Sequence, residues 1–202
     1  SNGGSFNGSY NDVTAPEGFA GALATAERMA GPLTVLVNNA GVANSGSMLD
    51  TDAAEWERVR QSNVDGVWHL SQAFAKHLIA AGRPGAIINI ASVLSYRVTP
   101  GTAAYAISKA AVKHMTEAMA AELARYRIRV NALAPGYIVT EMTDAFLNSP
   151  ASAETRKRIP MRRVGTPADL DGALLLLAAP RASAYMTGST IVVDGGHLTA
   201  FR

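Results

Sequence analysis

No cysteine occurs in the 202 residues, so disulfide bonds and thiolate metal sites are excluded. No apolar run reaches the roughly 18 residues that a membrane-spanning helix needs, and no charged-then-apolar leader opens the chain. Charge is sparse at 17% of residues and nearly balanced, with 18 basic against 16 acidic side chains and a net charge of +2. So small an excess gives no electrostatic footprint for nucleic acid or a membrane surface. The four histidines, His69, His77, His114 and His197, show no paired His-x-x-x-His spacing. They read as surface or packing residues, and no metal site is expected. These absences point to a soluble cytoplasmic protein.

What is present is a chain that is 48% hydrophobic, enough for one α/β-sized domain with a real core. Residues 1–11 are rich in Gly, Ser and Asn, lack apolar periodicity and read as a flexible tail. Beyond them, helical and strand patterns alternate. "EGFAGALATAERMA" has helical spacing and stops at Gly31-Pro32. "LTVLVN" is a short β-branched run, expected to be a buried strand. A helical segment from about Asp52 to Ala81 follows, closed by Gly82, and then the strand "GAIINIA". A helix from about Thr102 to Tyr126 leads into the strand "IRVNALA", broken by Pro135-Gly136. The stretch 137–166 is irregular with short helices. "PADLDGALLLLAA" starts a helix at Pro167 with Thr166 as N-cap, and "STIVVDGG" ends the series.

Apolar strands alternating with helices argue for a doubly wound parallel α/β sheet covered on both faces. In such sheets ligands bind beyond the carboxyl ends of the strands. Asn39, Ala40 and Gly41 follow the first strand, Ser92 the second, and Pro135 and Gly136 the third. About ten residues after Ser92, "AAYAISKA" puts Tyr105 and Lys109 four apart, on one face of a helix. A surface tyrosine beside a solvated lysine would look the same in isolation. A phenol titrates near ~10 when unperturbed, and a neighbouring ammonium is expected to bring it toward working pH. Ser92 could equally be a loop-capping serine, and Asn63, mid-helix, a kink or an exposed polar position. Met142, Phe146 and Leu147 could wall an apolar pocket or simply pack. The basic run from Arg156 to Arg163 reads as a solvated face.

"NNAG", "SNVDG", "INIAS", "YAISK", "RVNALAPGYIVT" and the ending "VVDGG" resemble, in order and spacing, the signatures of the short-chain dehydrogenase/reductase family, over the chain from about Asp12 onward. The resemblance implies a Rossmann-type fold and NAD- or NADP-dependent interconversion of a secondary alcohol and a ketone, the substrate being of sugar, polyol or 3-oxoacyl type. It implies Tyr105 as general acid/base, Lys109 on the nicotinamide ribose, Ser92 on the substrate oxygen and Asn63 holding a relay water. Asp12 and Val13 would meet the adenine. Asn39, Ala40 and Gly41 would line the dinucleotide together with Tyr105, Lys109, Pro135, Gly136, Ile138 and Thr140. Residues 12–202 form the oxidoreductase domain, with a substrate lid over about 137–166. A homo-oligomer, specifically a tetramer, would form through long helices rich in small residues, including Ala110, Ala111, Ala118, Ala120 and Ala121.

The chain departs from the family at its start. The expected strand and TGxxxGxG turn are not found: Gly4 and Gly8 have GxxxG spacing, but Tyr10 stands where the third glycine belongs. Relative to the family, about 50 residues, roughly two strand–helix units, are missing. Two expectations follow. The apolar edge beside "LTVLVN" should be uncovered, and the chain by itself should bind either dinucleotide weakly. The alternative function is a catalytically silent fragment or oligomerising binding module.

Overall fold

The β-branched runs build one sheet in the computed structural model, which describes residues 12–44, 46–149 and 151–200. The tail expected over residues 1–11, with Gly4, Gly8 and Tyr10, lies outside them. The strands are β1 (Val35–Asn38), β2 (Gly85–Ile90), β3 (Ile128–Pro135) and β4 (Thr190–Val193). All neighbours pair in parallel, in the order β1-β2-β3-β4, with Asn38 opposite Asn89 and Pro135 opposite Val193. Parallel pairing needs crossovers. α1 (Phe19–Ala30) precedes β1; the crossovers hold α2 (Ala53–Arg60) and α3 (Gly66–Ala80) between β1 and β2, and α4 (Ala103–Leu123) between β2 and β3. The β3–β4 crossover holds α5 (Glu141–Leu147), α6 (Ala151–Arg158) and α7 (Ala168–Ala178). No described helix is long and apolar enough to cross a membrane.

Alternation along β3 shows that both faces are covered. Val130 joins Met119 and Ala120 of α4, Phe74 and Leu78 of α3, and Ile87 in one buried cluster. On the opposite face, the Arg129 guanidinium donates to the Leu177 carbonyl of α7 at 3.0 and 3.1 Å. β1 departs from the expected buried strand. Leu36 packs on the core, but Val35 and Val37 are each 39% exposed, leaving one face of this edge strand uncovered.

Three other expectations are modified. The run from Asp52 to Ala81 is not one uniform helix, because Gln61–Asp65 forms a π-helical turn between α2 and α3. Thr166 does not cap α7. Its backbone N–H and hydroxyl donate to Asp169 Oδ2 at 2.7 and 3.0 Å, so the carboxylate, not the threonine, is the acceptor at this helix start. Of the small residues assigned to an oligomer face, Ala120 is buried at 3% exposure within this chain's own core.

The strands carry one asparagine each in β1, β2 and β3, all buried. Asn38 Nδ2 donates to Asn89 Oδ1 at 2.7 Å and to Ser71 Oγ at 2.8 Å, and Asn89 Nδ2 donates to Thr116 Oγ1 at 2.9 Å. This polar ladder ties β1, β2, α3 and α4 together beneath the strand ends. Asn131 is held separately: Nδ2 donates to the Met186 carbonyl and Oδ1 accepts from Ser189 N–H.

Candidate active site

Loops leaving the carboxyl ends of β1, β2 and β3 and the first turns of α4 converge at one rim, where doubly wound sheets place their ligands. Ser92 sits just past β2 and is 8% exposed. Its hydroxyl accepts from Leu94 N–H at 3.1 Å, and the side chain lines the same cavity as the Tyr105 phenol, whose charged form it favours. It therefore caps its loop and faces the tyrosine at once, so the two readings of this residue are not exclusive. Lys109, 5% exposed, reaches back from α4, and its Nζ donates to the Ile90 carbonyl at 2.8 Å and lies 5.7 Å from the centre of the Tyr105 ring.

The electrostatics run opposite to the sequence expectation. Burial raises the Tyr105 phenol above its ordinary value, Ser92 opposes that only in part, and Lys109 is not among the causes. Burial also lowers the Lys109 ammonium to about 8. A low-dielectric pocket penalises both charged forms, and across this separation desolvation outweighs attraction.

Asn63 is neither a kink facing solvent nor an exposed polar residue. It lies in the π-helical turn, 1% exposed. Its Oδ1 accepts from Val42 N–H at 2.8 Å, and its Nδ2 donates to the Val42 carbonyl at 2.8 Å and to Ser108 Oγ at 2.9 Å. Ser108 Oγ in turn donates to the Tyr105 carbonyl at 2.7 Å. The amide thus clamps the loop after β1 to the helix carrying Tyr105 and Lys109. Gly41 lies in the angle between them: a Cβ there would come within 3.2 Å of Asn63 Oδ1 and 3.5 Å of Lys109 Nζ.

The other residues assigned to a dinucleotide are spread along the same rim. Asn39 and Ala40 are exposed, and Gly41 is half-buried. Asp12 accepts from the N–H and hydroxyl of Thr14, both at 2.8 Å, and these bonds hold its carboxyl below the usual range. The Val13 carbonyl presses on Gly66 at the start of α3, where a Cβ would lie 2.9 Å from it. Gly136, following Pro135, packs so closely on Asp194 that a Cβ would lie 2.8 Å from Asp194 Cα. Ile138 is buried and bridges to Gly165. Thr140 is exposed at the start of α5, where its N–H donates to Thr143 Oγ1 at 3.0 Å.

A cavity of about 1100 Å³ opens beside Ser92 and Tyr105. Met142 and Phe146 line it, whereas Leu147, 8% exposed, does not and packs inside, which divides the three lid residues. Within the basic run, Lys157 pairs with Glu154 at 2.7 Å and Arg163 with Asp169 at 2.7 Å, both on the surface. Sequence reasoning missed Asn44, whose Oδ1 accepts from Tyr105 N–H at 2.9 Å, because nothing local marks a contact between residues 61 positions apart. It also missed Ser108, though that residue sits inside "YAISK". His197 is buried, lines the cavity and stacks on Tyr137 at 5.4 Å, so the packing reading holds for it and the surface reading does not.

Known proteins resemble this chain in sequence and fold. A family model described as enoyl-(acyl carrier protein) reductase matches residues 4–197. Galactitol 2-dehydrogenase (L-tagatose-forming) of Cereibacter sphaeroides is 44% identical over 189 residues, covering 92% of this chain and 73% of its own. The 2-dehydro-3-deoxy-D-gluconate 5-dehydrogenase of Escherichia coli is 42% identical, covering 93% of this chain and 74% of its own. The crystal structure of a gluconate 5-dehydrogenase from Burkholderia cenocepacia in complex with NADP and tartrate superposes with a TM-score of 0.89 at 38% identity, over 94% of this chain and 74% of that one. With likeness at this level over more than nine-tenths of its length, the chain belongs to the short-chain dehydrogenase/reductase family and is an NAD(P)-dependent oxidoreductase of alcohols and ketones.

Proposed function

We propose that Tyr105 is the general acid/base of this reaction, with Ser92, Lys109 and Asn63 as its supporting groups. The observation that carries the reading is that Ser92 and Tyr105 line one cavity, with Lys109 Nζ 5.7 Å from the centre of the Tyr105 ring. A ketone oxygen seated between these two hydroxyls accepts from both. The bound nicotinamide supplies the hydride to the carbonyl carbon in reduction and takes it up in oxidation. As the carbonyl oxygen gains negative charge, Tyr105 gives it the phenolic proton and Ser92 stabilises it by hydrogen bonding. Burial keeps the phenol protonated before the step, which suits an acid. The Lys109 ammonium then stabilises the phenolate left behind until solvent reprotonates it. Asn63 fixes the loop after β1 and, through Ser108, the backbone of Tyr105.

The rim fits the nicotinamide end of a dinucleotide. Asn39 and Ala40 are exposed, Gly41 lies beside Lys109, and Gly136 lines the cavity. The sugar dehydrogenases among the relatives support a small alcohol or ketone as substrate. A reduction run with cofactor deuterated at the transferring position of the nicotinamide ring tests the reading. Deuterium should appear on the carbinol carbon of the product, and its absence there would refute hydride transfer.

A second reading is a catalytically silent, oligomerising module. One observation favours it: β1 presents Val35 and Val37 to solvent, apolar surface that a second chain can cover. Isothermal titration with NAD(H) and NADP(H) separates the two. A micromolar dissociation constant supports the enzyme, and no measurable binding supports the module.

A further inference from the structure

We infer that the substrate carries an apolar body next to its carbonyl, rather than a chain of hydroxyl groups. This rests on the alcohol–ketone reading above and narrows it. The reacting carbonyl takes the hydroxyls of Ser92 and Tyr105. The cavity lining also includes the apolar side chains Leu94, Val98, Met142 and Phe146, of which Val98 is 79% and Met142 52% exposed, together with Tyr96 and Tyr137.

Polar side chains also line the cavity, but several are committed within the protein. Ser95 Oγ donates to the Lys109 carbonyl at 2.7 Å, Thr102 Oγ1 to the Thr99 carbonyl at 2.8 Å, and Thr143 Oγ1 to the Ile138 carbonyl at 2.6 Å. Asn44 commits only its Oδ1, which accepts from Tyr105 N–H. A hydroxyl proton already given to a backbone carbonyl is not available to a ligand. A sugar in this space would exchange its hydration for apolar walls and engaged hydroxyls, and each unmatched hydroxyl opposes binding. An alkyl or aryl group gains from the same walls. Arg97, an exposed residue, also lines the cavity.

Sites of this kind discriminate through polar groups left unpaired, so binding reports the difference directly. Dissociation constants of 4-phenylbutan-2-one and 5-keto-D-gluconate, measured by ligand-observed NMR, should differ by at least about ten-fold in favour of the aromatic ketone. Met142→Asp, at an exposed position, should cut the preference below about three-fold, and Met142→Leu should keep it. Equal or tighter binding of the keto-sugar, or no binding of either compound, would overturn the inference. A preference for the aromatic ketone without turnover by either nicotinamide cofactor would uphold the pocket assignment and sink the alcohol–ketone reading. Turnover with the keto-sugar preferred would do the reverse.

Discussion

Lys109 carries its charge at a cost, because its ammonium is buried and held to about 8 against an ordinary 10.5. Its folded value lies below its unfolded one, so between pH 8 and 10.5 the unfolded chain binds more protons. Stability attributable to this group therefore rises with pH across that window. Urea midpoints at pH 7.5 and 9.5 should show the rise in the parent, and it should be absent in Lys109→Met. An unchanged rise in the variant would assign it to another group. At the same scale, Asn44 fixes the backbone of Tyr105 through a single bond at 2.9 Å. Asn44→Ala should destabilise the protein by only about 1 kcal/mol. It should nonetheless lower kcat roughly ten-fold by loosening the phenol, with KM nearly unchanged. A KM effect alone would contradict a positioning role.

The Asn38–Asn89–Thr116 ladder holds the strand ends whose loops form the rim. Asn89 is fully buried and bonds in both directions, so Asn89→Ala leaves one Asn38 amide hydrogen unpaired, the other still reaching Ser71, and leaves Thr116 short of a donor. The expected loss is roughly 2–4 kcal/mol, read as a lower urea midpoint; a loss under about 0.5 kcal/mol would mean that water replaces the ladder. Elements of this kind were only partly legible in the sequence. β-branched runs and helical spacing located the strands and α4, because burial is written in local periodicity. The π-helical turn was not legible, since its cause is a loop partner, Val42, 21 residues upstream of Asn63. β1 reads as buried from its composition, yet two of its valines are exposed, because burial depends on which neighbours are present. The quartet proposed as catalytic, Asn63, Ser92, Tyr105 and Lys109, was picked out by motif order. Its electrostatics were not, since the direction of the Tyr105 shift depends on burial that no spacing encodes.

At the scale of the molecule, four elements converge on one cavity and leave apolar surface elsewhere. Trp56 and Trp68 are 40% and 42% exposed on α2 and α3, and Ala110, Ala118 and Ala121 are exposed along α4. Small side chains on long helices permit close approach of a second copy, and we expect a homotetramer. Light scattering that gives a mass near 21.1 kDa at micromolar concentration would contradict it. The central claim is that one phenol moves the proton while the rest of the fold holds it in place. Tyr105→Phe removes that oxygen and almost nothing else. Measured on the parent's best ketone, kcat/KM should fall by about 10²–10⁴-fold while the melting temperature stays unchanged. A kcat/KM within about three-fold of the parent's would mean that Tyr105 does not carry the proton.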